Sequence, residues 1–184
     1  HAPPRIAALG RFDTVKGLDV FIRALAQLQQ QGHEFSATLA GAGGEESRLK
    51  GLASELGLRS RVSFPGWVVD PETFLSGADL LCVPARSDAF GLTPLQGAIA
   101  GVPLVLSRAT GHVEMFASER EALFCDIGDP DSTARQMARI IDDNGLAERL
   151  RSAAFQRTSR SYSIPVVTAQ ILHALETIYE KWHK

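Results

Sequence analysis

The sequence predicts a doubly wound α/β fold: a parallel sheet of about six strands, helices on both faces, and a long amphipathic helix at the C-terminus. Three observations carry this reading. Short apolar runs of strand length recur at residues 6–9, 35–40, 62–64, 80–83, 103–106 and 122–125, each bounded by Gly, Pro or charged residues. Segments of helical periodicity separate them. The runs are apolar without strict alternation, as strands are when helices cover both faces of a sheet.

Taken in order, the first strand is followed by Leu18, Phe21, Ile22, Leu25 and Leu28 on one helical face, with Gly32 as the stop. After the second strand, Leu49, Leu52, Ala53, Leu56 and Leu58 form another stripe, broken by Gly57. Residues 71–78, 94–100 and 132–141 supply further helices, two of them opened by proline at or near the first turn. From residue 165 to 184, Val167, Ile171, Ala174, Ile178 and Trp182 share a face that Leu172, Leu175 and Tyr179 widen. That helix needs an apolar partner, either its own sheet or a further domain.

The 184 residues, 45% of them hydrophobic, suffice for one core. Nineteen Lys and Arg against 21 Asp and Glu give a net charge of −2, which argues against a general nucleic-acid or membrane-binding surface. No apolar stretch has the length of a membrane span. Cys82 and Cys125 each sit in an apolar run, as buried free thiols do in a reducing, cytoplasmic setting. Residues 1–4 read as an expression remnant or linker rather than a signal peptide, which is consistent with a piece of a longer protein.

Chemistry concentrates in the loops that follow strands. Ser87 to Gln96 join the fourth strand to a helix whose N-terminal N–H groups favour an anion. Gly91 admits close approach of a ligand, and Asp88 and Gln96 can hold hydroxyl groups. After the first strand, Gly10, Arg11 and Lys16 form a glycine-flanked turn whose two cations can converge on a diphosphate. Gly41 and Gly43 follow the second strand, where a close approach to a nucleotide and a plain tight turn explain them equally well.

Structural alternatives accompany these readings. Thr93, Pro94 and Gln96 fit a capping box with Thr93 as N-cap. Asp129-Pro130-Asp131 fits a helix cap better than a metal motif. His112 lies near a plausible mouth, yet a lone histidine is more often structural.

Gly10 through Gly17, Gly41 to Gly43, Phe64-Pro65-Gly66, Asp88 through Pro103, Gly128-Asp129-Pro130 and the terminal helix together resemble the C-terminal domain of group 1 retaining glycosyltransferases with two Rossmann-like domains, the GT-B fold. The resemblance covers nearly the whole chain. It implies a nucleotide-sugar-binding domain at residues 5–163 and a helix at 164–184 reaching toward an N-terminal acceptor-binding domain of the same protein. It further implies a UDP- or GDP-sugar substrate, no cofactor, no metal requirement, and transfer of a sugar to an acceptor hydroxyl. In that family Arg11 and Lys16 match the cations that hold the diphosphate, and the N–H groups near Gly91 and Leu92 match the donor loop. Gly10, Gly41, Gly43, Phe90 and Thr93 complete the donor-binding set. Where the family usually carries two glutamates, this chain has Asp88 near the transferred sugar and Gln96 near the ribose. Phe64-Pro65-Gly66-Trp67 lies where the family often meets the base through backbone groups. The resemblance places the longer protein in the cytoplasm, with any membrane contact made by its other half. Two rival readings remain at this stage: a sugar-nucleotide epimerase of the same architecture, and a degenerate, non-catalytic binding module.

Overall fold

Six parallel strands form one sheet in the order β3-β2-β1-β4-β5-β6 in the computed structural model, which describes residues 2–182. They are β1 (Arg5–Leu9), β2 (Ser36–Ala40), β3 (Val62–Gly66), β4 (Leu80–Val83), β5 (Leu104–Ser107) and β6 (Leu123–Cys125). The order runs outward from β1 in one direction and from β4 in the other. The chain therefore reverses direction across the sheet between these two strands, which creates a crevice beyond their carboxyl ends.

Residue alternation along each strand feeds two cores. Ile6, Ala8, Leu80 and Cys82 face one side, where α1 (Leu18–Gln30), α2 (Glu46–Glu55) and α6 (Pro130–Asp142) pack around Phe21, Ile22 and Leu25. Ala7, Leu81 and Val83 face the other, against α3 (Pro71–Ser76), α4 (Leu92–Ile99) and α5 (Thr110–Met115), with Leu75, Leu95, Met115 and Phe116. α7 (Asn144–Ser161) closes this second side by burying Ala154. This is the doubly wound α/β sheet that the sequence predicts.

Local expectations meet different outcomes at the starts of α4 and α6 and in the helices α5 and α7. α4 begins at Leu92 with Gly91 as its N-cap in a left-handed conformation, and no side chain caps it, so the Thr93–Gln96 capping box does not form. The glycine turns the chain into the helix two residues early and leaves Thr93 inside the first turn. Asp129 does cap α6, accepting from the N–H groups of Asp131 at 2.8 Å and Ser132 at 3.1 Å. α5 and α7 carry no sequence signal strong enough to predict them. α5 has six residues, and α7 buries only the narrow stripe Leu146, Leu150, Ala154 and Thr158 among many charges.

α8 (Ile164–Trp182) forms as the periodicity predicts, although none of its described residues is buried. Packing on the parent sheet is therefore corrected. Ile171, Leu172, Leu175, Ile178 and Trp182 all stand exposed. His1, His183 and Lys184, which begin and end the expected segments, lie outside the described residues.

Candidate functional site

The loops after β1 and β2 lie one on the other. Gly10 N–H donates to the Ala40 carbonyl at 3.1 Å, Phe12 N–H to Ala42 at 2.8 Å, and Gly41 N–H to Gly66 at 2.8 Å. Gly41 has φ +140°, and a Cβ there would sit 1.8 Å from the Gly10 carbonyl oxygen. Only glycine permits these backbones to stack. Gly43, at φ +156°, packs likewise on the Phe12 backbone and is not among the residues that border the cleft.

Every other residue expected to hold the donor borders one cavity of about 640 Å³ at the carboxyl ends of the strands, whereas of the segment expected near the base only Trp67 does. Gly10, Arg11 and Lys16 come from the β1–α1 loop, and Gly41 follows β2. Asp88, Phe90, Gly91, Leu92, Thr93 and Gln96 come from the β4–α4 connection. A larger, open groove of about 910 Å³ runs along α1 and α6 instead, away from the strand ends.

The two cations occupy different environments. Asp13 accepts from the Lys16 N–H at 3.1 Å, capping a short 3-10 turn (Thr14–Lys16) that aims the lysine across the crevice. There its Nζ meets Asp88 Oδ2 at 2.9 Å, and both side chains are largely buried. Arg11 is 73% exposed and pairs with Asp13 at 2.8 Å. The cations therefore reach the same cavity without converging on a single point.

Asp88 anchors its own loop as well. Its Oδ1 accepts from the N–H of Gly91 at 2.8 Å and of Phe90 at 3.3 Å. Burial opposes its ionisation, yet the Lys16 ammonium, helped by the His112 ring and the Gly91 N–H, holds its carboxyl below the usual range. Gly91, at φ +82°, then leads into α4, whose first N–H groups have no partner within the helix and point toward the cavity with the positive end of the dipole.

One stretch of lining escaped the sequence reading, and the histidine expected near the mouth proves to be buried. Beyond Trp67, named already for the base, Val68 and Val69 extend the opposite wall; Trp67 is 71% and Val69 90% exposed. An apolar run placed directly after a strand's terminal glycine, with no periodicity to bury it, was the available signal. Beneath Asp88 lies His112, fully buried, its Nε2 3.8 Å from Asp88 Oδ2. Among the described residues there is no group of three or more His, Cys, Asp or Glu side chains placed to hold a metal, and no helix long and apolar enough to cross a membrane.

Residues 1–157 match the family model described as "Glycosyl transferases group 1". The lipopolysaccharide core biosynthesis glycosyltransferase LpsD of Rhizobium meliloti is 32% identical over 163 residues, which is 89% of this chain and 46% of that protein. A D-inositol 3-phosphate glycosyltransferase of Salinispora tropica is 31% identical, over 86% of this chain and 35% of its own length. Among solved structures, HepE of Anabaena in complex with UDP superposes with a TM-score of 0.89 at 24% identity, covering 95% of this chain and 49% of its own. The C-terminal domain of LpcC, a group 1 family protein from Francisella tularensis, gives a TM-score of 0.79 at 18% identity and is matched over 88% of both chains. The chain spans about half the length, or less, of the curated relatives it matches.

Proposed function

The chain belongs to the group 1 glycosyl transferases, and from that premise we propose that it is the donor-binding half of a retaining enzyme that moves a sugar from a nucleoside diphosphate sugar to an acceptor hydroxyl. One observation carries this reading. A cation (Lys16), the open N-terminus of α4 and a hydrogen-bonding amide (Gln96) share a single cavity at the point where the strand order reverses.

In this reading the diphosphate lies over the Gly91–Leu92 turn. The N–H groups there and the α4 dipole meet its charge, Lys16 exchanges Asp88 for a phosphate oxygen, and Arg11 adds a second cation from the rim. Gln96 bonds the ribose. Asp88, a methylene shorter than glutamate, reaches a sugar hydroxyl once Lys16 has moved. The bond from the anomeric carbon to the diphosphate breaks as the acceptor oxygen bonds on the same face, and the acceptor proton passes to the departing phosphate. The cations stabilise the charge left on the diphosphate, and no protein base or metal takes part.

The acceptor belongs to an N-terminal domain of the same protein, and α8 supplies the apolar face that meets it. The buried free thiols of Cys82 and Cys125 suit a reducing compartment, which supports reading the enzyme as a cytoplasmic one.

HepE binds UDP, which makes UDP the first nucleotide to test. Calorimetric titration of the chain with UDP, GDP and ADP, with and without magnesium, should show selective, magnesium-independent binding that weakens in Arg11→Ala. Transfer to an acceptor should need the longer protein. No binding to any of the three would remove the proposal.

A further inference from the structure

His112 stands at a junction that the donor-binding reading leaves unused. Its Nδ1 lies 3.0 Å from the Ser107 carbonyl oxygen, which can only accept, so Nδ1 carries the hydrogen of the neutral ring. The Ser107 hydroxyl donates instead to the Ala85 carbonyl at 2.6 Å and cannot serve the other ring nitrogen. Nε2 is thus a bare lone pair with no hydrogen-bond partner, although the ring is fully buried. It faces Asp88 Oδ2 at 3.8 Å, too far for a hydrogen bond and lone pair against carboxylate.

That same oxygen is the one Lys16 holds at 2.9 Å. Asp88 Oδ2 therefore lies between an ammonium on one side and an imidazole on the other, while Oδ1 stays tied to the Gly91 N–H. Burial depresses the basicity of His112. The Ser107 contact and the nearby Asp88 charge act against that, and the Lys16 charge reinforces it. Asp88 and Lys16 are the charged groups that face the ring. On its own helix Glu114 is exposed, and on α7 Arg157 donates to the Met115 carbonyl at 3.2 Å.

Resting on the reading that a nucleoside diphosphate occupies this cleft, we propose that His112 is a positioning residue that takes Asp88 over from Lys16 when the diphosphate arrives, gaining a proton at Nε2 as it does. Lys16 leaves Asp88 for a phosphate oxygen. A proton from solvent adds to the Nε2 lone pair, and Nε2–H donates to Oδ2 in a charge-assisted bond. The loop thereby keeps an anchored carboxylate while its lysine serves the ligand. The ring must move about 1 Å to make a bond of normal length.

Linkage fixes the sign. The His112 midpoint lies higher in the complex than in the free chain, so binding is tightest below the free midpoint and weakens as pH rises through the bound one. A rise of about one pH unit corresponds to about tenfold in affinity across that range.

The test is a pH titration of the imidazole 15N signals of the 184-residue chain, with and without saturating UDP, with His112 identified by its loss in His112→Gln. The free chain should show the neutral Nδ1–H form of His112, and UDP should raise its midpoint by about one pH unit. If that variant does not fold, sequential assignment of the wild-type chain replaces it, and Asp88→Asn gives the second arm: the UDP-induced rise should shrink there. A midpoint that UDP leaves unmoved while the Gly91 amide shifts would overturn the proposal and leave donor binding intact. A rise of equal size in Asp88→Asn would overturn it too, since the ligand's charge alone would then explain the effect. A Gly91 amide that UDP never shifts would remove both readings.

Discussion

Two cavities of similar volume open at opposite ends of the sheet, about 640 Å³ at the carboxyl ends of the strands and about 600 Å³ at the amino ends. Size does not distinguish them; chemistry does. The amino-end cavity is bordered by Pro4, Asp79, Leu80, Gly101, Pro103 and Ile141, where α3, α4 and α6 finish, and by the first turns of α7, whose start is already capped by Asp143 accepting from the Leu146 N–H at 2.9 Å and whose Arg151 is paired with Glu148. Its Asp79 is matched by Arg5 through both the N–H at 2.8 Å and the guanidinium at 3.5 Å. At the other end α1 and α4 begin, a lysine is held on a carboxylate, and a buried imidazole lacks one partner. The helices that connect parallel strands put the starts of α1 and α4 on this side, and the anion site proposed there rests on that polarity.

The sharpest way to break the asymmetry is Gly41→Ala. The new Cβ would meet the Gly10 carbonyl oxygen at 1.8 Å from a backbone at φ +140°. Strain of about 1–3 kcal/mol at the backbone and about 1–3 kcal/mol from overpacking act together. The midpoint of urea unfolding should fall markedly at constant slope, and UDP binding should be lost as the β1 and β2 loops separate. A variant of wild-type stability would show that the stacked loops can part freely.

Lys16→Met comes next. A charged hydrogen bond to phosphate contributes about 1.5–3 kcal/mol, but Lys16 must first give up Asp88, so the expected loss of UDP affinity is toward the lower end, about tenfold. Calorimetry reads it directly. Arg11→Ala should cost less, a factor of about two to five, because an exposed charge on the rim contributes at most about 1 kcal/mol. Equal losses in the two variants would mean that ligand entry buries Arg11 as deeply as Lys16.

Much of this asymmetry was legible in the sequence. Strand runs, the helix behind Leu18 to Leu28 and the glycine-bearing loops all follow from local pattern, and local pattern also places anion-binding loops after strands. The sequence could not show that Lys16 would be paired with Asp88, a contact across 72 positions, or that His112 would lie underneath. Such pairings depend on how two loops approach, which no periodicity encodes. The same limit applies to α1 and α8. Both have an apolar face, yet α1 buries Phe21, Ile22 and Leu25 while α8 buries nothing among the described residues. Amphipathicity announces that a partner is needed without saying which one. Thr93 failed as a cap for a more local reason, since the left-handed Gly91 starts the helix ahead of it.

The smallest expected effect tests the comparison from the other side. Arg5→Ala removes the guanidinium from Asp79 at the amino end but keeps the main-chain bond from the Arg5 N–H to that carboxylate. Both side chains are more than half exposed, so water and salt already screen the pair. Stability should change by no more than about 0.5 kcal/mol, and UDP affinity should not change at all. Lost nucleotide affinity in Arg5→Ala would mean that the amino end is coupled to the ligand, and helix polarity would no longer suffice to support one cavity over its twin as the proposed site.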